Sequence, residues 1–182
     1  VAATKTFSSQ VTALALLAER LHRDITGEPS EHSAGLLDSL GALPEQIESV
    51  LDADPTAELT RKYEGMDAHF FIGRGIAHPV ALEGALKFKE ITYEHAEGFA
   101  AGQLKHGPLA LVTPNTVVVA VFTGDHDEKT LNNVREVQAR GASVIAIAPA
   151  DADEIAGTVD DFVPIPRSTP ALNGLLANVQ LQ

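Results

Sequence analysis

The spacing of apolar residues divides the chain into a helical first part and a second part with a different pattern. Apolar residues recur at helical intervals at Val11, Leu14, Leu17 and Leu21. This spacing predicts a helix within Val1–Arg23. Ala34–Asp52 repeats the pattern, and Gly41 and Pro44 inside it predict a kink or a break. Pro55–Tyr63 predicts a third, short helix, so the part that precedes Met66 is expected to contain no strand.

Strand and helix patterns alternate after Met66. Short apolar runs, which predict buried strands, lie at His69–Ile72, Thr116–Phe122, Ser143–Ala148 and Phe162–Ile165. Helical patterns lie between or after them, at Pro79–His95, Gly98–Lys105, Asp127–Arg140 and Leu172–Gln182. This alternation is typical of right-handed βαβ units. The sequence therefore predicts an α/β fold with a parallel sheet.

The composition is that of a globular protein. The chain has 182 residues, of which 45% are hydrophobic and 5% are aromatic, without tryptophan, so alanine, valine and leucine must fill the core. Cysteine is absent, which excludes disulfides, thiolate zinc sites and a cysteine nucleophile from these residues. No signal segment opens the chain and no apolar run approaches the length of a membrane span. We expect a cytoplasmic protein.

The charge of the chain limits the kinds of partner that we expect. The formal net charge is −12, from 25 acidic and 13 basic residues. Nucleic acids and anionic membranes require a basic face, so neither is an expected partner. The charge fits an ordinary acidic protein of the cytosol or a protein of a high-salt cell, and the scarcity of lysine with frequent aspartate favours the second.

A polar stripe lies in the segment Pro79–Pro108. Steps of three and four residues place Glu83, Lys87, Glu90 and Glu94 on one face of a predicted helix. One interpretation is a solvated surface with a favourable Glu–Lys pair. The other is a site, because the surrounding residues are mostly alanine and glycine and allow close packing around the stripe. Spacing alone leaves both interpretations open.

His106 is the second candidate in this segment. An imidazole titrates near pH ~6.5 and transfers protons at neutral pH. Gly107 and Pro108 follow it and would fix its backbone. The alternative is a histidine at a helix C-terminus that is favoured by the helix dipole, and local evidence does not separate the two.

Three other kinds of site find weak support. Gly73-Arg74-Gly75 follows a predicted strand, but it lacks the third glycine of a dinucleotide fingerprint and the Lys-Ser/Thr of a P-loop, so a tight turn is favoured. The seven histidines show no paired metal-ligand spacing, and we expect no metal. No G-x-S-x-G motif is present, which disfavours a serine hydrolase.

The string ALEGALKFKEITYEHAEGFAAGQLKHGPLALV closely resembles the second sugar-isomerase (SIS) subdomain of the glutamine–fructose-6-phosphate aminotransferases. VAATKTFSSQ resembles the end of their first SIS subdomain, and the resemblance extends from Val1 to Gln182. It implies a flavodoxin-like, three-layer αβα fold. It also implies that residues 1–65 are the last helices of a first SIS subdomain with a connector. Residues 66–182 would then be a second SIS subdomain, truncated at its C-terminus.

The resemblance implies roles for five residues. Glu90 would move a proton between C1 and C2 of the sugar, Lys87 would assist, and His106 would help to open the sugar ring and reach the active site of a partner subunit. The backbone at Val1 and Ala2 would line the sugar pocket. The implied reaction makes glucosamine 6-phosphate from fructose 6-phosphate and ammonia. It involves no cofactor or metal, a glutaminase domain in the same full-length chain, and a homodimer.

The sequence departs from the family at two positions and covers only part of it. Gln103 replaces a usual glutamate and Ala3 a frequent serine. The phosphate loop of the first subdomain, the lysine that forms an imine and the glutaminase domain are missing, so we expect a fragment that is inactive by itself. Two alternatives are another SIS-family isomerase or deglycase, and a non-catalytic SIS sensor that would not need Glu90.

Overall fold

The architecture is that of a computed structural model that describes residues 4–31 and 33–182. In that part of the chain, the strands are β1 (Ala68–Gly73), β2 (Ala96–Ala100), β3 (Thr116–Val121), β4 (Ser143–Pro149) and β5 (Asp161–Ile165). The α-helices are α1 (Thr4–Thr26), α2 (Ser33–Asp52), α3 (Thr56–Tyr63), α4 (Ala77–Thr92), α5 (Asp127–Gln138), α6 (Asp153–Ala156) and α7 (Pro170–Gln180). Two 3₁₀ helices, η1 (Ala101–His106) and η2 (Pro108–Leu111), follow β2.

The strands form one parallel sheet in the order β2-β1-β3-β4-β5. This is the strand order of flavodoxin-like folds, in which the chain reverses direction across the sheet between β1 and β3. The parallel sheet and the α/β class predicted from the sequence are therefore confirmed.

Alternate residues along each strand enter two different cores. Phe71 of β1 faces the core that contains α4, α7 and part of α2, whereas Phe70 and Ile72 face the core that contains α5 and η1. Because successive strand residues point to opposite faces, continuous runs of apolar residues are buried on both sides. The three layers expected from the resemblance are present.

The first two helices differ in how they pack. Leu43 and Val50 of α2 are buried in the same core as the sheet and α7, and α2 continues through Pro44, so the predicted break is wrong. The leucines that were predicted to line one face of α1 are exposed, namely Leu14, Leu17 and Leu21.

No helix in the described part of the chain is long and apolar enough to cross a membrane.

The segment Gly98–Lys105 was predicted as a helix, and this prediction is wrong. Its first residues belong to β2, and only its later ones form η1, a tighter helix. The backbone of α4 passes so close that a Cβ at Gly98 would lie 2.9 Å from the Cα of Leu82. Gly98 therefore allows α4 to lie close to an edge strand.

The end of α4 also differs from the prediction. The helix covers Ala77–Thr92 rather than Pro79–His95, because Tyr93 adopts a left-handed conformation with φ 63° and its N–H bonds to the carbonyl of Lys89. Glu94 consequently lies outside the helix. The four-residue stripe predicted from spacing is reduced to Glu83, Lys87 and Glu90.

Candidate functional site

A close turn fixes the start of the helix that carries the candidate residues. Gly73 ends β1, and a Cβ there would lie 2.3 Å from the carbonyl oxygen of Ala77, the first residue of α4. Only glycine allows this approach. The turn lays α4 across the sheet with Ala77, Ala81 and Ala85 buried against it.

Lys87 is the central polar residue of α4. It is buried, and its Nζ lies 2.5 Å from Glu90 Oε2 and 3.6 Å from Glu83 Oε1. The exposed fraction of the side chain is 5% for Lys87, 17% for Glu83 and 39% for Glu90. One ammonium is therefore shared by two carboxylates, one close and accessible, the other more distant and nearly buried.

The electrostatics keep Lys87 charged. The hydrogen bond to Glu90 is the main cause that raises the pKa of Lys87, and Glu83 adds to it, while burial works in the opposite direction. A charged lysine holds the Glu90 carboxylate in one orientation through a charge-assisted hydrogen bond. That bond uses Oε2 and leaves Oε1 outside it, so Glu90 has an oxygen that can accept a proton from another molecule.

Lys87 also lines a cavity of about 420 Å³. Its floor is the sheet, with apolar residues at Val117, Val119, Ile145, Ile147 and Val163. Leu59 and Tyr63 of α3, Phe88 of α4 and Leu181 after α7 form its sides. A mostly apolar cavity with a few polar groups is the usual form of a small-molecule site, but Glu83 and Glu90 are not among the residues that line this one.

His69 is a polar residue at this cavity that the sequence did not single out. Its ring packs on that of Phe88, with centroids 4.4 Å apart, and its Nδ1 lies 3.8 Å from a carboxylate oxygen of Glu94. Burial lowers the pKa of His69, and Glu94 partly opposes this effect. His69 is the first residue of an apolar run, so the sequence pattern predicted only that it lies in a strand.

His106 lies apart from the Lys87–Glu90 pair. It is the last residue of η1, and its side chain is exposed. The residues of η1 that enter a core, Ala101 and Leu104, pack on the opposite face of the sheet from α4. In the described part of one chain, no hydrogen bond or ion pair joins His106 to Lys87 or Glu90. Val1 and Ala2 lie outside the described residues.

The loops at the point where the sheet order reverses form a different surface. The carboxylate of Asp127 accepts the backbone N–H of Gly124 at 3.1 Å, and burial raises the pKa of Asp127. A Cβ at Gly75 would lie 3.1 Å from Asp125 Oδ2. The N–H of Gly124 is therefore already bonded to a carboxylate, and Gly73–Gly75 forms the connection from β1 to α4. Residues 4–31 and 33–182 contain no cluster of three potential metal ligands.

Comparison with known proteins finds relatives that match the full length of the chain. A relative from Halobacterium salinarum named glutamine–fructose-6-phosphate aminotransferase (isomerizing) is 50% identical over 184 residues, which cover 100% of this chain and 30% of the relative. A relative of the same name from Gloeobacter violaceus is 44% identical, with the same two coverages. The chain thus spans about a third of the length of these curated relatives.

Solved structures share the architecture. The C-terminal domain of glucosamine-fructose-6-phosphate aminotransferase from Francisella tularensis superposes with a TM-score of 0.88 at 33% identity, covering 100% of this chain and 52% of that one. Glucosamine-6-phosphate deaminase from Thermotoga maritima has a TM-score of 0.66 at 24% identity, covering 97% of this chain and 49% of that one, which shows a shared fold alone. The family model described as SIS domain matches residues 67–182. This chain therefore belongs to the SIS domain family.

Proposed function

We propose that the chain is part of the isomerase half of an enzyme that makes glucosamine 6-phosphate from fructose 6-phosphate and ammonia released from glutamine. The observation that carries this proposal is the Lys87–Glu90 pair, in which a buried ammonium orients a partly accessible carboxylate. The relatives named for this reaction, which match the whole chain, support it.

The proposed chemistry is a proton shift between neighbouring sugar carbons. Glu90 takes a proton from C1 and returns it at C2, which requires one carboxylate that can accept and release a proton on one face of the substrate. Lys87 keeps the carboxylate oriented and supplies a positive charge next to the oxygens of the substrate as electron density moves. No cofactor is needed for this step.

The remaining parts of the proposed site are His106 and the first residues of the chain. His106, exposed at the end of η1, opens the sugar ring in the site of a partner subunit, which makes a homodimer part of the proposal. The backbone at Val1 and Ala2 lines the sugar pocket. In this arrangement residues 1–65 close a first SIS subdomain and residues 66–182 form a second one, in a cytoplasmic protein that also carries a glutaminase domain.

The test uses the full-length protein that contains this chain. Glu90→Gln should abolish formation of glucosamine 6-phosphate while glutamine hydrolysis continues, because the amide cannot accept the C1 proton. Glu94→Gln is the matched control, since Glu94 is exposed and lies beyond the helix, and it should leave synthesis unchanged. Normal synthesis by the Glu90→Gln protein would contradict the proposal.

A further inference from the structure

The 3₁₀ helix η1 presents three different faces. In a helix with three residues per turn, residues i and i+3 lie directly above one another. Ala101 and Leu104 form one face and are fully buried. Gln103 and His106 form another and are exposed. The third face contains Gly102 and Lys105, and polar side chains of other elements contact it.

Arg74 holds one end of that third face. A Cβ at Gly102 would lie 2.8 Å from Arg74 Nη2 and 3.4 Å from Cζ, so the guanidinium lies against the backbone of η1. Arg74 Nη2 also donates to Asn133 Oδ1 of α5 at 3.2 Å. Asn133 is buried, so this bond fixes the guanidinium from the side of the core.

Residues of α5 also hold the other end of this face, at Lys105. Asn133 donates through Nδ2 to Glu136 Oε2 at 3.3 Å, and Glu136 Oε1 lies 2.6 Å from Lys105 Nζ. The contact with Lys105 is the main cause that lowers the pKa of Glu136. Arg74, Asn133, Glu136 and Lys105 thus form a continuous polar chain around η1.

The backbone of Arg74 contacts the start of α4, the helix that carries Lys87 and Glu90. Its carbonyl oxygen accepts the N–H of Ala77, the first residue of α4, at 3.0 Å. Arg74 therefore touches both the start of the helix that carries Lys87 and Glu90 and the short helix that ends in His106. We propose that Arg74 is a positioning residue that fixes η1 relative to α4 and so sets where His106 is presented.

This inference rests on the proposed function, and a double-mutant cycle in the full-length protein tests it. Arg74→Met should lower kcat for glucosamine 6-phosphate formation by at least about tenfold, with a smaller change in KM, because small misplacements of a catalytic group cost this much or more. In a His106→Asn background the same substitution should have no further effect, since Arg74 acts through His106. Additive effects of the two substitutions would overturn the inference.

Two controls separate positioning from folding. Arg74→Lys keeps the charge but not the planar group, and it should recover part of the lost kcat. Arg135→Met removes an arginine of α5 that pairs with Glu154 at the surface, and it should leave kcat unchanged. Equal losses in Arg74→Lys and Arg74→Met, at an unchanged melting temperature, would count against the inference.

Hydrogen exchange provides a readout that does not depend on activity. Amides of residues 101–106 should exchange faster in Arg74→Met than in the unmodified protein, whereas those of α5 should not. Unchanged exchange in residues 101–106 would overturn the inference. If the unmodified protein makes no glucosamine 6-phosphate, the proposed function fails, and the exchange data still decide whether Arg74 fixes η1.

Discussion

Lys87 Nζ lies 2.5 Å from Glu90 Oε2, and this contact joins a side chain that is 5% exposed to one that is 39% exposed. The pair therefore runs from the interior of the protein towards its surface. An ion pair between two exposed side chains adds little to stability, whereas a buried ammonium without a carboxylate partner is costly. The contact therefore keeps Lys87 charged inside the protein and holds Glu90 in one orientation.

Replacement of Lys87 by methionine should lower both activity and stability. We expect Lys87→Met to lose most of the synthesis of glucosamine 6-phosphate, because Glu90 loses the group that orients it. The melting temperature should fall as well, since the nearly buried Glu83 loses its ammonium partner. Lys89→Met, on the exposed side of the same helix, is the control. Full activity of Lys87→Met would show that the pair is not used in the reaction.

His69 should make stability depend on pH. Burial lowers the pKa of His69 from its ordinary value of 6.5, so the unfolded chain binds this proton more readily than the folded one. Stability is therefore expected to fall as the pH drops below about 6.5. His69→Phe, which keeps a ring against Phe88, should reduce this acid-side loss. Melting temperatures measured between neutral and mildly acidic pH check it, and parallel curves for the two proteins would be the contrary result.

Asp127 should change the pH dependence of stability in the direction opposite to His69. Burial is the main cause that raises its pKa, so the folded chain takes up this proton more readily than the unfolded one. The ionised form lowers stability near neutral pH, and this cost disappears as the pH falls through the folded pKa. Asp127→Asn should then melt no lower than the unmodified protein at pH ~7, and its advantage should shrink on acidification. A lower melting temperature at neutral pH would contradict this.

Gly98 should tolerate no side chain. In Gly98→Ala the new Cβ would lie 2.9 Å from Leu82 Cα and 3.2 Å from the carbonyl oxygen of Ala81, which forces α4 away from β2 at a cost of about 1–3 kcal/mol. The control is Gly41→Ala in α2, where a Cβ meets nothing within 4 Å and alanine should stabilise the helix by about 0.5–1 kcal/mol. Thermal unfolding of the two variants compares them, and similar shifts would refute the argument.

The central strands could be predicted from the sequence because almost every residue in them is apolar. β3 and β4 are continuous runs of β-branched and small apolar residues, a pattern that suits a strand covered on both faces. β2, with the sequence AEGFA, has no such run. Its assignment depends on its parallel pairing with β1, a contact between segments distant in sequence that no local pattern reveals.

The sequence predicted most residues of the candidate site but not how they are arranged. Helical spacing brought Glu83, Lys87 and Glu90 together, but the same spacing describes a solvated stripe, and only the packing of α4 shows that Lys87 is buried. His69 was missed because its neighbours made it a strand residue. The place of His106 depends on η1, whose three-residue repeat was read as an ordinary helix.

The three faces of η1 also limit how this segment can change during evolution. With three residues per turn, the insertion or deletion of a single residue turns every later side chain by about 120°. Such a change would move Leu104 out of the core or swing His106 towards α5. Substitutions on the exposed face, such as glutamine at position 103, leave this phase intact. The length of η1 is therefore expected to be more constrained among relatives than its composition.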